Sequence, residues 1–467
     1  MNELKKLFED WAQESVVECK MLNAAGSNRK YFRLCGNKNV VIGVEGTSAD
    51  ENNTFIKMAE HFASKNLNTP RIVAHSPDKM YYLQTDLGDI SLFDFIAEGR
   101  KTGVFSNSEK EMLHKTIGLL AKFQVSASDF DFSVSYPVSE FNKRSILWDL
   151  NYFKYNFLKT TGLEFQENCL EDDFECFAEI LLKVKPVGFM YRDFQSRNVM
   201  ILNNEAYFID FQGGRKGALH YDVASFLWQA KANFSNELRL ELLDTYLNTL
   251  KKLIDFDKAE FRRALNYFVL FRTLQVLGAY GFRGYFEQKA HFLQSIPPAI
   301  KNLKDLLECC DFEEFPYLTE ILEKMVELPK FASAHSRKYL TIRVFSFSYK
   351  KGGIPTDFSG NGCGFVFDCR ALNNPGRYSQ YKKLTGLDDE VAHFLETESE
   401  MPAFLQSVFA LVDNSTKCYL ERGFTDLMIN FGCTGGQHRS VYSAQKTAEH
   451  LREKFGVEVE IVHREID

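Results

Sequence analysis

The sequence predicts two successive folded units: a larger α+β unit, in which a small sheet precedes a mostly helical part, and then a smaller α/β unit. Three observations carry this. Short β-like runs and one helical stretch fill roughly the first 95 residues, helical apolar periodicity dominates from about 108 to 328, and beyond about 337 strand-like and helical runs alternate. The length of 467 residues leaves room for more than one core at roughly 100–200 residues per domain. With 45% apolar residues, 43 Phe among them, the chain lies far from the disordered class.

Taken in order, an amphipathic helix opens the chain. Residues 31–34, 40–44 and 80–84 read as strands, with a helix over 53–65 that sets Phe55, Met58, Ala59 and Phe62 at helical spacing. Helical periodicity runs over 108–185 and 221–328. Between them, 187–213 read as a turn followed by strands 199–202 and 206–209, joined by Asn203-Asn204. The breaker-containing stretch from Leu328 to Ser336 reads as a linker, which sets the domains at 1–330 and 337–467. Beyond it, strands are expected at 340–346, 364–369, 427–431 and 457–462, with helices near 401–422 and 440–455. No internal repeat or low-complexity tract is visible.

The net charge of −7, nearly balanced within 337–467, excludes a basic polyanion-binding domain by bulk charge. Ten cysteines without a CxxC pair argue against a disulfide framework or a zinc site. The N-terminal residues Met1 to Phe8 lack an apolar export core, and no uncharged apolar run reaches the ~20 residues of a membrane span; the stretch 268–282 is interrupted by Arg272. The expectation is a soluble, reduced, cytoplasmic protein without membrane contact.

The segment from Met190 to Met200 contains Asp193 and, five residues later, Asn198; Asp210 follows at the end of the next strand. Phosphoryl transfer asks little covalent chemistry of a protein. It needs an acceptor hydroxyl held in line and oxygen ligands for Mg²⁺. Asp193 can hold the hydroxyl, while Asn198 and Asp210 offer oxygens to one metal bound to nucleotide phosphates. Any one of these residues is ordinarily a turn or cap; the D-x-x-x-x-N spacing before a hairpin with Asp-Phe after it is what points to catalysis.

Here the chain resembles the aminoglycoside phosphotransferase-like kinases, and among them the N-acetylmuramate/N-acetylglucosamine anomeric kinases of cell-wall recycling. The resemblance covers roughly residues 5–330. It rests on Ser27 to Arg33, Thr85 to Asp89, Arg192 to Asn198, Asp210-Phe211-Gln212 and Tyr221 to Ser225. It implies a bilobal, protein-kinase-like α+β fold, ATP and Mg²⁺ as cofactors, Asp193 as catalytic base, and Asn198 and Asp210 as metal ligands. The phosphate loop would be Gly26, Ser27, Asn28 and Arg29, with Arg29 or Lys30 supplying a cation; Asp222 would be a buried anchor. Two departures stand out. Residues 40–45 carry no strand lysine, with Gly43 or Val44 in its place, and Tyr191 replaces the usual loop histidine. A pseudokinase is therefore an open alternative.

A second constellation runs from Leu427 to Ser440. A strand, a glycine-bearing turn and a helix start would place Cys433, Thr434, Gly435, Gly436, His438, Arg439 and Ser440 around one point suited to phosphate. Cys433 and Arg439 also satisfy C-x₅-R, which leaves a cysteine phosphatase open, with Asp357 and Asp368 as candidate general acids. Residues 339–467 resemble the C-terminal domain of the RNase adapter family (RapZ), through Ser346 to Lys350, Phe367 to Arg370, Leu384 to Asp388 and Gly432 to Ser440. That resemblance implies a sugar-phosphate pocket and, in some members, RNA contact. The P-loop NTPase unit usual in front of it is absent, and the balanced charge argues against RNA as a partner. The expectation is an ATP-dependent amino-sugar kinase with a sugar-phosphate-sensing domain; an RNA-binding adapter with an inert kinase-like domain is the competing class.

Overall fold

The computed structural model describes residues 2–22, 29–287, 289–328, 331, 340–357 and 364–466. The chain divides into two compact units, Met1–Phe282 with Pro298–Val326, and Arg283–Pro297 with Glu327–Asp467. The stretch read as a linker lies mostly outside the described residues.

The first unit opens with α1 (Asn2–Ala12) and a five-stranded antiparallel sheet in the order β1 (Glu18–Leu22), β2 (Lys30–Cys35), β3 (Val40–Glu45), β5 (Tyr81–Thr85), β4 (Ile72–His75). Strand alternation divides its faces. Phe32, Leu34, Val41 and Leu83 bury Leu4 and Phe8 of α1 on one side. On the other side lies α2 (Ala49–Ser64), whose Phe55 stacks on Tyr82. This helix begins before residue 53, because Ser48 caps it and its polar first turn hides the apolar period. β1 and β4 escape a sequence reading because they are edge strands with no fully buried side chain, so the in–out alternation is weak.

The helical part contains α3 (Leu92–Phe95), α4 (Ala97–Thr102), α5 (Asn107–Ser126), α6 (Lys143–Asn156), α7 (Glu167–Lys183), α8 (His220–Leu227), α9 (Asn236–Lys251) and α10 (Lys258–Gly281). α11 (Ala290–Leu293), α12 (Ile296–Cys309) and α13 (Pro316–Val326) follow. α10 lies so close to α6 that a Cβ on Gly281 would stand 2.1 Å from the Asn156 carbonyl oxygen, so glycine is required there. Between α7 and α8 two hairpin-like pairs form: β6 (Val187–Met190) with β9 (Arg215–Ala218), and β7 (Val199–Leu202) with β8 (Glu205–Phe208). The β7–β8 turn is the expected Asn203-Asn204, both at positive φ (52° and 60°), as a tight hairpin requires. β6 and β9 were not anticipated: they pair across the intervening hairpin, Val187 with Ala218, so no adjacent turn marks them as Asn203-Asn204 marks β7 and β8. Much of the phenylalanine content packs beneath this region, where Phe62, Phe123, Phe189 and Phe211 meet largely edge to face.

The second unit carries a parallel sheet in the order β11 (Phe365–Asp368), β12 (Asp426–Cys433), β10 (Thr341–Ser348), β13 (Glu458–His463). Besides α11, which falls within this unit, its helices among the described residues include α14 (Asp389–Thr397), α15 (Met401–Glu421) and α16 (Arg439–Phe455). Because all four strands run the same way, their carboxyl ends share one edge, the usual ligand side of such sheets. Among the described residues no helix is long and apolar enough to cross a membrane.

Candidate functional site

The loop between β6 and β7 is held by Asp222 at the start of α8. Its fully buried carboxylate accepts from the backbone N–H groups of Tyr191 (2.7 Å) and Arg192 (2.9 Å) and from Gln124 Nε2 (2.8 Å). Burial pushes this carboxyl up to about 6 despite those donors. Tyr191, at the position where a histidine was expected, donates its hydroxyl to the Ile209 carbonyl and ties the loop to the strand end bearing Asp210. Arg192 and Asp210 sit at φ 82° and 66°, left-handed backbone that a non-glycine residue adopts only under such restraint.

These restraints bring the three expected residues together. Asn198 Nδ2 donates to the Asp193 carbonyl (2.9 Å) and lies 3.3 Å from Asp193 Oδ2 and 3.4 Å from Asp210 Oδ2. Two glutamines missed by sequence reasoning complete the arrangement. Gln195 Nε2 donates to Asp193 Oδ1 and Gln212 Nε2 to Asp210 Oδ1, each at 2.7 Å. The signal was present as a repeated tripeptide, Asp-Phe-Gln at 193–195 and again at 210–212. Arg272 of α10 also approaches Asp193 Oδ1, at 3.5 Å, and nothing local in the sequence marks it. Burial, and then the neighbouring Asp193, push the Asp210 carboxyl above the usual carboxylate range. Such a group favours a nearby cation; Asp210, together with Asn198 once its amide is turned so that Oδ1 rather than Nδ2 faces Asp210, would offer the oxygen ligands that suit a magnesium ion on phosphates.

Beside these groups lies a cavity of about 550 Å³, large enough for a nucleotide. Leu22, Ile42, Met200 and Ile209 give it apolar walls, Gln84 to Leu87 line its hinge side, and Asn198, Asp210 and Gln212 close its polar end. The expected phosphate-loop residues Gly26, Ser27 and Asn28 lie outside the described residues. Arg29 and Lys30 have different partners. Arg29 immediately precedes β2, two residues before Tyr31, which lines the cavity; its guanidinium is buried and pairs with Glu51 of α2 at 3.1 Å. Lys30 is 53% exposed and pairs with Glu45 at 2.8 Å. Glu51 was also missed, because an acid in a first helical turn reads as dipole pairing.

In the second unit the loop from Cys433 to Ser440 joins β12 to α16. Gly436 is at φ 71°, and a Cβ there would stand 2.3 Å from Glu465 Cγ, whereas one on Gly435 would meet nothing within 4 Å. The Thr434 carbonyl accepts from Ser348 Oγ (2.8 Å). Cys433 Sγ accepts from the Gly436 N–H (3.2 Å) and lies 3.1 Å from Ser440 Oγ. His438 Nε2 is 2.9 Å from the Tyr381 carbonyl oxygen. Arg439 does not spread a fork over the loop: Nη1 donates to the carbonyls of Arg370 and Leu372, both at 2.9 Å, and Nε is buried without a partner among the described residues. The side chains of Cys433, His438, Arg439 and Ser440 thus face inward, and the groups left for an anion are mainly backbone N–H groups ahead of α16. Of the candidate acids, Asp357 is buried against Arg343 (2.9 Å) and Asp368 is chelated by Arg370.

A five-stranded sheet with one packed helix, a helical part, and acid and amide groups converging on a hairpin beneath a nucleotide-sized cavity define a protein-kinase-like fold. The sequence profile of the phosphotransferase enzyme family matches residues 18–262, and the chain belongs to that family. Residues 340–467 match the profile of the RapZ C-terminal domain. Curated relatives called "nucleotide-binding protein" include one from Xylella fastidiosa (strain 9a5c), 38% identical over 142 residues, 30% of this chain and 45% of the relative. One from Thermotoga neapolitana is 38% identical over 128 residues, 27% of this chain and 43% of the relative. The chain therefore spans less than half the length of these relatives. Solved structures similar to it include the choline kinase LicA from Streptococcus pneumoniae (11% identity, 70% of this chain and 98% of that one, TM-score 0.44). A choline kinase from Cryptosporidium parvum Iowa II is similar at 11% identity, covering 69% and 98%, with TM-score 0.46.

Proposed function

We propose that this protein transfers the γ-phosphoryl group of ATP to the anomeric hydroxyl of an amino sugar, N-acetylmuramate or N-acetylglucosamine, in the cytoplasm. Its domains are 1–330 and 337–467, and the second senses a sugar phosphate at the Cys433–Ser440 loop. The observation that carries the reading is the position of Asn198, within 3.4 Å of the carboxylates of both Asp193 and Asp210. Asp193, oriented by Gln195, accepts the proton of the attacking hydroxyl. Asp210 and Asn198 would hold magnesium, which supplies charge neutralisation on the transferring phosphoryl group. Arg29, braced by Glu51, serves the phosphates in place of the missing strand lysine, which weakens the case for an inert kinase domain.

Radiolabelled ATP against an amino-sugar panel tests the proposal. Turnover that disappears in Asp193→Ala supports it; salt-sensitive RNA binding without any turnover would instead identify an adapter. A second reading, a cysteine-dependent phosphatase activity in the C-terminal domain, is favoured only by the Gly436 N–H and Ser440 contacts to Cys433 Sγ. Loss of aryl-phosphate hydrolysis in Cys433→Ser would establish it, and no hydrolysis by the native protein would end it.

A further inference from the structure

Around Asp149 and Asp193 three arginines from distant segments converge. Arg192 comes from the loop itself, Arg215 from β9 and Arg272 from α10. Arg192 and Arg272 both lie over the ring of Tyr221, at 5.0 and 5.8 Å from its centroid. The nearby carboxylates are already engaged. Asp149 pairs with Arg192 Nη2 and accepts from Gln275, and Asp193 must serve the acceptor hydroxyl. Among the described residues Arg192 Nη1 is buried with no hydrogen-bond partner. Arg215, 7% exposed, donates Nε to the Gly213 carbonyl (3.1 Å), and among the described residues no carboxylate lies within ion-pair distance of it. Burial, and then the like charge of Arg192, lower the Arg215 guanidinium to about 10. Asp149 is the one carboxylate whose charge favours both guanidinium groups, so a second anion would find the Arg192 Nη1 N–H and the Arg215 guanidinium still without an ion-pair partner of their own.

We infer that Arg192, Arg215 and Arg272 form an oxyanion subsite for the phosphoryl acceptor, so that the sugar bears a carboxylate or phosphate besides its reacting hydroxyl. This rests on the kinase reading and narrows it. The guanidinium fork suits either oxyanion, each N–H giving a charge-assisted hydrogen bond. Neutral sugars leave Arg215 without an ion-pair partner, and polyamine-bearing acceptors such as aminoglycosides are disfavoured, because three guanidinium groups outnumber the carboxylates of Asp149 and Asp193.

Titration calorimetry on the full chain, with a non-hydrolysable ATP analogue and Mg²⁺ present, tests the subsite independently of turnover. The probes are N-acetylmuramate (carboxylate), N-acetylglucosamine 6-phosphate (phosphate), N-acetylglucosamine (neutral) and glucosamine (cationic). The expected result is that one of the two anionic sugars binds about 10- to 100-fold more tightly than the neutral one, the value of one or two charge-assisted contacts; which one wins identifies the anion. Arg215→Met should collapse that ratio to near one, and Arg215→Lys should restore part of it. Equal affinities for anionic and neutral sugars, or a native ratio that survives in Arg215→Met, would overturn the subsite. A preference for anionic sugars without phosphoryl transfer to any would overturn the kinase reading and leave the subsite standing.

Discussion

Replacing Asp222 by Asn isolates how the catalytic loop is held. Burial raises this carboxyl from the ordinary 3.8 to about 6, which makes its ionised form cost about 3 kcal/mol at neutral pH. Asn removes that cost. Its oxygen can keep the two donors that share Oδ2, Tyr191 N–H and Gln124 Nε2, but its amide would face the Arg192 N–H donor to donor. One orphaned buried N–H costs about 1–3 kcal/mol, so the two effects nearly cancel and urea stability should stay within about 2 kcal/mol of the native chain. The damage falls on geometry instead. Arg192 immediately precedes Asp193, and a misplacement on the order of 1 Å lowers kcat about 100-fold. The native carboxyl binds a proton between about pH 4 and 6 that the unfolded chain does not, so this group's contribution to stability falls as pH rises through that window; the Asn variant lacks that slope. Urea melts across that range and steady-state ATP turnover are the assays. Full activity in Asp222→Asn, or unfolding of the variant at neutral pH, would refute the reasoning.

Arg29→Met should raise the KM for ATP about 10- to 100-fold through loss of one charge-assisted phosphate contact, whereas Lys30→Met should change it less than about twofold. Equal effects would place the phosphate cation elsewhere. His220 is fully buried against Phe261, with neither ring nitrogen hydrogen-bonded among the described residues, and burial lowers it to about 3. The unfolded chain therefore binds the extra proton below about pH 6.5, and stability is lost as pH falls; His220→Phe should remove about 2 kcal/mol of the loss between about pH 7 and 5, read by urea melts. Gly436→Val forces a branched side chain into left-handed backbone beside Glu465 and should cost about 1–3 kcal/mol by thermal melt, while abolishing any stabilisation of the second domain by added sugar phosphate.

Legibility in the sequence followed the range of each interaction. Asp193, Asn198 and Asp210 were readable because a tight loop and a two-residue hairpin turn bring them together, whatever the rest of the chain does. The parallel sheet of the second unit was readable from strand–helix alternation. Gln195 and Gln212 were visible as a repeated tripeptide, though their role needed side-chain positions. The edge strands β1 and β4 were not legible, since burial creates the alternation a reader looks for and edges have little of it. In the Cys433–Ser440 loop composition misled: Arg439 looks like an anion fork in the sequence, yet it braces two backbone carbonyls.

The sequence by itself determined the chemistry available: carboxylates and an amide at loop spacing, a glycine-bearing turn ahead of a helix, and no lysine on β3. Only the tertiary structure separated the two candidate cations, since Arg29 and Lys30 are neighbours in the chain, yet Arg29 is buried beside Glu51 whereas Lys30 is exposed beside Glu45. It likewise gathered Arg192, Arg215 and Arg272 around Asp149 and Asp193. Local spacing fixes what lies within one turn or hairpin; convergence of charges from separate helices and strands is set by how the apolar faces pack, and no window of sequence contains that information.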